Sequence, residues 1–244
     1  MRLYVVLLLA CAAVSAASAE TVRLVVPEIE GLLLSDGSGA YQKVLAAAAK
    51  RARVSYMVDV FPRSRALSQF LDGKYDGIFT YTQTARDKLG KDAILASYPV
   101  GAYRGYAFRL KGTSPVADLG DLSGKRVGGV IGFEGTYQAV RQAGAALELV
   151  TDDAANLTKL KAGRIDALLG FLPDLFPQLD QLSYDPAAPF FESYDRLTLR
   201  NTPENRTWLE RISAELKLMH ADGTIRELVG PSYLPVSGNF PLDR

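Results

Sequence analysis

The sequence is poorest in the residues that most often carry metal and thiol chemistry. Its 244 residues include one cysteine, Cys11, and one histidine, His220. One of each excludes a His/Cys zinc cluster and a disulfide framework. An excess of charge is missing as well: 28 Lys and Arg stand against 27 Asp and Glu, a net of +1. That balance argues against a nucleic-acid partner, which needs a basic face, and there is no polybasic patch for a membrane surface. No nucleophile elbow or metal-ligand motif occurs, and neither a low-complexity linker nor a clear sequence repeat is visible. Apolar material, by contrast, is ample: 48% of residues are hydrophobic and 23% charged. Such a chain can bury a core and is not disordered, and its length suits one large domain or two small ones.

The chain opens on an apolar run. Arg2 precedes residues 3–14, which are too few to form a permanent membrane span, and Ala17-Ser18-Ala19 fits the small-x-small pattern of signal-peptidase sites. Residues 1–19 are therefore read as a signal peptide cut after Ala19, with export to the periplasm. Leu8-Leu9-Ala10-Cys11 loosely resembles a lipobox, which would leave a lipid-anchored Cys11. Leu9 fits poorly there and the apolar run before it is short, so the soluble form is the reading adopted. Cleavage takes Arg2 from the 28 basic residues and leaves 27 against 27 acidic, with no cysteine. Packing alone must then hold the exported protein together, without a disulfide.

Residues 21–26 (TVRLVV) read as a strand ended by Pro27. Tyr41, Val44, Leu45 and Ala48 have helical spacing over 41–52. Residues 54–61 form a strand closed by Pro62, residues 65–71 a short helix stopped at Gly73, and residues 75–81 a third strand. This β-α-β-α-β order predicts a parallel sheet covered by helices. The pattern recurs in strands 105–110, 126–131, 147–150 and 165–169, with a turn at 118–122 and helices from Thr136 to about Ala143 and over 154–162. A strand over 194–199 follows. An amphipathic helix over 203–218 then carries Trp208, Ile212 and Leu216 on one stripe, with Asn201 or Thr202 as cap and Pro203 at its first position. A short helix over 224–228 stops at Gly230-Pro231. The fold class is α/β.

Five stretches, in order, resemble bacterial extracellular solute-binding protein family 3, the polar-amino-acid type of ABC importer. They are PRSRAL (62–67) with LDGKYDG (71–77); Thr84-Ala85-Arg86, similar to T-x-x-R; Ser97-Tyr98-Pro99; DLSGKRVG (121–128), similar to D-L-x-G-K-x-V-G and followed by Gly135-Thr136; and LKAGRIDA (160–167) with the tail over 208–223. Together they span about 20–235. The resemblance implies a type II periplasmic binding protein fold, two α/β lobes joined by two crossing strands. Lobe 1 is expected over 20–107 plus 196–244 and lobe 2 over 108–195. It further implies a monomer, without cofactor or catalysis, that closes on a small polar, carboxylate-bearing solute and hands it to an inner-membrane ABC permease. Two rivals use the same fold. One is a dehydratase-like enzyme working through Glu28, Glu30, Glu134 or Asp174, with His220 in the late helix away from the cleft. The other is a sensory or accessory binding protein without a transporter.

Ligands of open α/β sheets bind beyond the carboxyl ends of strands, which directs attention to the loops at 27–33, 61–65, 80–86, 132–137 and 170–174. The resemblance makes Arg86 the binder of the ligand's carboxylate, a task suited to a guanidinium fork, although Thr84-Ala85-Arg86 is one residue shorter than the family's segment. Gly135 and Thr136 would offer backbone N–H groups to the same carboxylate from lobe 2, and Thr136 serves equally as a helix cap. Tyr81 is a candidate aromatic wall and Thr82 a candidate hydroxyl. Arg65 and Phe61 border the cleft, and Glu28 and Glu30 are candidate ammonium acceptors. Five residues after Asp166, where the family often places an Asp for the ligand's α-amine, stands Phe171. It offers only a cation–π face, or signals a ligand without an α-amine; Asp174 is the nearest substitute. Glu30-Gly31-Leu32-Leu33-Leu34 replaces the family's aromatic-rich first loop.

Overall fold

In the computed structural model, which describes residues 21–236, 238 and 240, the alternating pattern folds into two sheets. The leader assigned to residues 1–19, with Cys11, lies outside the described residues. In chain order, β1 (Val22–Pro27), α1 (Ala40–Ala52), β2 (Tyr56–Phe61), α2 (Arg63–Leu71), β3 (Gly77–Phe79), α3 (Thr82–Leu89) and β4 (Ile94–Ala96) come first. After a crossover at 97–100 follow β5 (Gly101–Leu110), β6 (Arg126–Val130), α4 (Gln138–Gln142), β7 (Ala146–Val150), α5 (Asp153–Lys161), β8 (Ala167–Leu172), β9 (Leu182–Ser183) and β10 (Phe191–Asp195). The chain returns through Arg196 into β11 (Leu197–Arg200), α6 (Pro203–Ala221) and α7 (Thr224–Val229).

The sheets run β2-β1-β3-β11-β4 and β10-β5-β8-β6-β7, with β9 beside β5. Each has a parallel triplet, β2-β1-β3 or β7-β6-β8, and beside it an antiparallel strand that has just crossed from the other half, β11 or β5. The two halves therefore share a plan that no sequence repeat reveals. β1 is covered on both faces, as parallel strands require. Leu24 and Val26 pack with α1 and α6 around Trp208 and Ile212, while Val25 packs with Ala66, Phe70 and Ala85 of α2 and α3. The second sheet is covered in the same way, with Val127, Leu169 and Phe171 on one side and Phe108, Leu168 and Leu172 on the other.

The crossovers are clamped to each other. Val100 N–H donates to the Asp195 carbonyl at 2.8 Å and Ser97 N–H to the Leu197 carbonyl at 2.8 Å, while Arg196 Nε donates to the Ser97 carbonyl. Three expectations are corrected here. The division at residue 107 falls inside β5, which pairs only with strands of the second sheet, so the outgoing crossover is at 97–100. The strand over 194–199 is two strands, because the chain changes sheets at Arg196. The helix expected from Thr136 begins as a 3-10 turn, Glu134–Tyr137, anchored by buried Tyr137, whose hydroxyl accepts from Val130 N–H at 3.0 Å.

Gly128, in β6, shows how tightly α5 sits on the second sheet. A Cβ there would lie 2.2 Å from Asn156 Oδ1 and 2.7 Å from Ile165 Cδ1, both of buried residues. Gly128→Ala is expected to lower the unfolding free energy by about 2 kcal/mol through overpacking. The check is a lower urea midpoint at unchanged slope.

Candidate functional site

The loops that follow the parallel strands of both sheets converge on one cavity of about 620 Å³. Ile29 comes from the loop after β1, Arg63 from the residues after β2, and residues 80–84 from the turn after β3. The second sheet contributes Gly132, Phe133, Gly135 and Thr136 after β6 and Asp174 after β8. The crossover strands close the back with Tyr103 of β5 and residues 191–195 of β10.

Arg63 is the first residue of α2. Side chains on a helix lean toward its N-terminus, and here that direction is the cavity. Arg63 Nη2 donates to Asp174 Oδ2 at 2.8 Å, an ion pair joining the two sides of the cleft, and the guanidinium lies 5.7 Å from the centre of the Phe133 ring. The two side chains are 37% and 19% exposed, so the pair is only partly shielded from bulk water, chiefly on the Asp174 side. Burial is the largest single influence and works against the Arg63 charge, but Asp174, Tyr81 and Asp153 together outweigh it and hold its pKa above the ordinary value.

The turn after β3 is strained. Thr80 and Tyr81 have φ of 69° and 56°, and the left-handed region costs a residue with a Cβ about 1–2 kcal/mol. The turn swings Tyr81 beside Arg63; burial pushes the phenol's pKa up and the guanidinium pulls part of the way back. α3 then starts at the cavity wall with no side-chain cap, and the start of a helix favours an acceptor of negative charge.

The opposite wall is aromatic. Phe171 has ring centres at 4.8 Å (Phe133), 5.7 Å (Tyr103) and 6.2 Å (Phe191). Asp195, at the end of β10, is 7% exposed, and its Oδ2 accepts from the Tyr41 hydroxyl of α1 at 3.0 Å. Asp195 pairs in register with Gly101, where a Cβ would stand 2.4 Å from that hydroxyl, so only glycine admits Tyr41. Burial, reinforced by Asp174, pushes the Asp195 carboxyl up to about 7, against the opposing pull of the Tyr41 hydrogen bond and Arg63. Asp153, at the start of α5, is raised to about 6 by burial and then by Asp174.

No family model and no curated protein sequence matches the chain. Solved structures do. The chain is similar to the GluR0 ligand-binding core in complex with L-glutamate, with a TM-score of 0.71, 16% identity, and coverage of 89% of this chain and 100% of that one. It is similar to an ancestral arginine-binding protein bound to arginine, with a TM-score of 0.64, 20% identity, and coverage of 88% and 98%. The L-cystine solute receptor of Neisseria gonorrhoeae, in its unliganded open conformation, gives a TM-score of 0.63, 17% identity, and coverage of 87% and 92%. The chain has the two-lobed periplasmic binding protein fold.

Within that binding-protein fold, six of the residues expected at the site line the cavity: Tyr81, Thr82, Gly135, Thr136, Phe171 and Asp174. The Thr136 hydroxyl donates back to the Phe133 carbonyl at 2.7 Å, inside the 3-10 turn, and does not cap a helix N–H. Four others lie outside it. Arg86 is the fifth residue of α3; Ala85 faces the core, which turns Gln83, Thr84 and Asp87 to the cavity and leaves Arg86 on the flank. Arg65 sits 200° around α2 from Arg63, with its guanidinium 4.6 Å from the centre of the Phe61 ring, and neither residue lines the cavity. Glu28 is exposed, because the chain turns there to direct Ile29 inward.

Of the groups considered for acid/base work, Glu30 and Glu134 also lie outside the cavity. His220 is held by the Pro99 carbonyl at 3.0 Å. Asp174 is within the cavity, paired with Arg63. Sequence reasoning missed Arg63, although it stands in the loop after β2 and its place at a helix start could have singled it out. It also missed the crossover group Tyr103, Phe191 and Asp195, for which no local signal exists. No helix among the described residues is long and apolar enough to cross a membrane.

Proposed function

We propose that the protein is the solute-binding component of an ABC importer, closing two lobes on a small polar solute that carries a carboxylate. The observation that carries this reading is Arg63: one lobe's cation meets the other lobe's carboxylate at 2.8 Å within the strand-end cavity. Arg63 meets Asp174 through Nη2 alone. The rest of its fork, with the uncapped start of α3 and the backbone of Gly135, forms a convergent set of donors for a carboxylate. Closure would then be a hinge motion about the clamped crossovers, with residues 21–100 and 196–236 in one lobe and 101–195 in the other. Export by residues 1–19, a monomeric state and an inner-membrane permease as partner belong to the same proposal. The coarser part, a binding role for the fold, is supported by the solved relatives, whose names describe binding proteins.

Titration calorimetry and thermal unfolding against standard amino acids, organic acids and amines test the reading. At 100 times its Kd, a bound solute raises the unfolding free energy by about 2.7 kcal/mol, which moves Tm by several degrees. Failure of every compound to bind overturns the proposal.

A further inference from the structure

The segment after α7 touches more than the lobe it comes from. The chain leaves α7 through a 3-10 turn, Gly230–Ser232. Tyr233 stays with the first lobe. It packs on the core built by α1 and α6, with its ring 6.2 Å from the His220 ring of α6 and 5.4 Å from the Arg226 guanidinium of α7. The next residue belongs elsewhere: Leu234 packs against the second lobe's cluster of Phe108, Leu168 and Leu172. Pro235 follows it, and a residue before proline is biased to extended backbone, which suits a segment stretched between two bodies.

Phe240 then meets both crossovers. Its ring lies edge-on to Tyr98 of the outgoing crossover, at 5.6 Å and 89°. It lies 4.5 Å from the Tyr194 ring of β10, at 68°, and 5.9 Å from the Arg196 guanidinium. Tyr98 also meets His220, at 5.6 Å. The rings of Tyr233, His220, Tyr98, Phe240 and Tyr194 thus form a continuous series from the first lobe across the hinge, in the tilted and edge-on geometries that aromatic pairs prefer.

Two crossing strands join the lobes and leave them free to hinge. The tail adds a third link, held at Tyr233 on one lobe, at Leu234 on the other and at Phe240 on the hinge. These contacts coexist with the 2.8 Å ion pair of Arg63 and Asp174, so they belong to an arrangement in which the lobes meet. Consecutive Cα atoms are 3.8 Å apart, so Tyr233 and Leu234 cannot each follow its own lobe when the lobes part. One of them must let go and expose apolar surface to water.

We infer that the C-terminal tail is a strap over the hinge, which holds the lobes together through Leu234 and Phe240 and sets how readily the cleft opens. The inference rests on the hinged lobes of the binding role proposed above, and it adds a control that the two crossing strands do not supply.

The test measures the distance between the lobes directly. Residues 20–244 contain no cysteine, so spin labels can be placed through Lys88→Cys on α3 and Gln138→Cys on α4. Both positions are exposed, one in each lobe, and neither lines the cavity. Double electron–electron resonance is recorded on this labelled chain and on the same chain with Leu234→Ala, Phe240→Ala, both together, or Phe240→Trp. A short distance is expected to predominate in the parent. Each alanine variant should raise the ratio of long to short distances by about 10-fold and the pair by about 100-fold, while Phe240→Trp, which keeps a ring, should stay within about 2-fold of the parent. A tail that only stabilised its own lobe would lower Tm and leave the ratio unchanged. An unchanged distribution in the double variant, or a shift to shorter distances, overturns the strap; binding of a panel solute alongside that result leaves the binding role standing. Failure of every panel compound to bind, with distances that still lengthen in the double variant, overturns the solute-binding role alone.

Discussion

Asp195→Asn is expected to stabilise the unliganded protein at pH 8 by up to about 4 kcal/mol and to flatten its stability between pH 4 and 7. The carboxyl moves from an ordinary 3.8 to about 7 in the folded protein because it is buried and faces Asp174. Between those values the folded state keeps a proton that the unfolded chain has released, so the folded state binds more protons and stability falls as pH rises. The penalty is absent below the unfolded value and complete above the folded one. It amounts to about 1.36 kcal/mol per pH unit across the window. The groups facing Asp195 are the Tyr41 hydroxyl from α1, Arg63 from α2, Asp174 after β8 and Tyr103 on β5. Tyr41 and Arg63 act against the upward shift and are outweighed. Asp153, raised to about 6, contributes a penalty of the same sign over a narrower pH window, which the variant retains. Urea unfolding at pH 5, 6, 7 and 8 measures the effect. Parallel profiles for the two proteins would show that Asp195 is not its source.

Arg63→Ala is expected to weaken solute binding by about 100-fold, close to 2.7 kcal/mol for a charge-assisted contact to a carboxylate. Arg86→Ala should change Kd less than about three-fold, since a residue outside the cavity touches the solute only through the screened field of its charge. Arg63→Lys keeps the charge but loses the planar fork, and an intermediate loss of about 10-fold is expected. Removing Arg63 also strips Asp174 of its partner. The double variant Arg63→Ala/Asp174→Asn should therefore recover part of the loss, a departure from additivity characteristic of groups in contact. Calorimetric titration of the four variants with the best ligand of the panel decides it. A large loss in Arg86→Ala with little change in Arg63→Ala would relocate the site to the flank of α3.

The difference between Arg63 and Arg65 shows where reading the chain stops. Both stand in the same loop of the sequence, and the position of that loop beyond a strand's carboxyl end was legible. Which arginine enters the cavity depends on the rotation of α2, and that is set by Ala66 and Phe70 packing beneath it on β1 and β3. The same reason moves Arg86 aside, because Ala85 turns inward. Phe171, by contrast, came into view through the family resemblance, five residues after Asp166, and it lines the cavity from β8, a strand that runs to Leu172 rather than ending at residue 169.

The sequence by itself determined the α/β class, most of the strands and helices, and the strand-end loops that surround the cleft. These depend on short-range periodicity, on proline and glycine stops, and on helix caps, all of which act within a few residues. Tertiary structure alone decided the break at Arg196, the inward turn of Asp195 and the ion pair between Arg63 and Asp174. Tyr41 reaches Asp195 across 154 positions of chain, and Arg63 reaches Asp174 across 111. Such pairs exist only because packed sheets bring distant strand ends together, where burial and the neighbouring charge, acting on Asp195, change the chemistry of a side chain that the sequence shows as an ordinary aspartate.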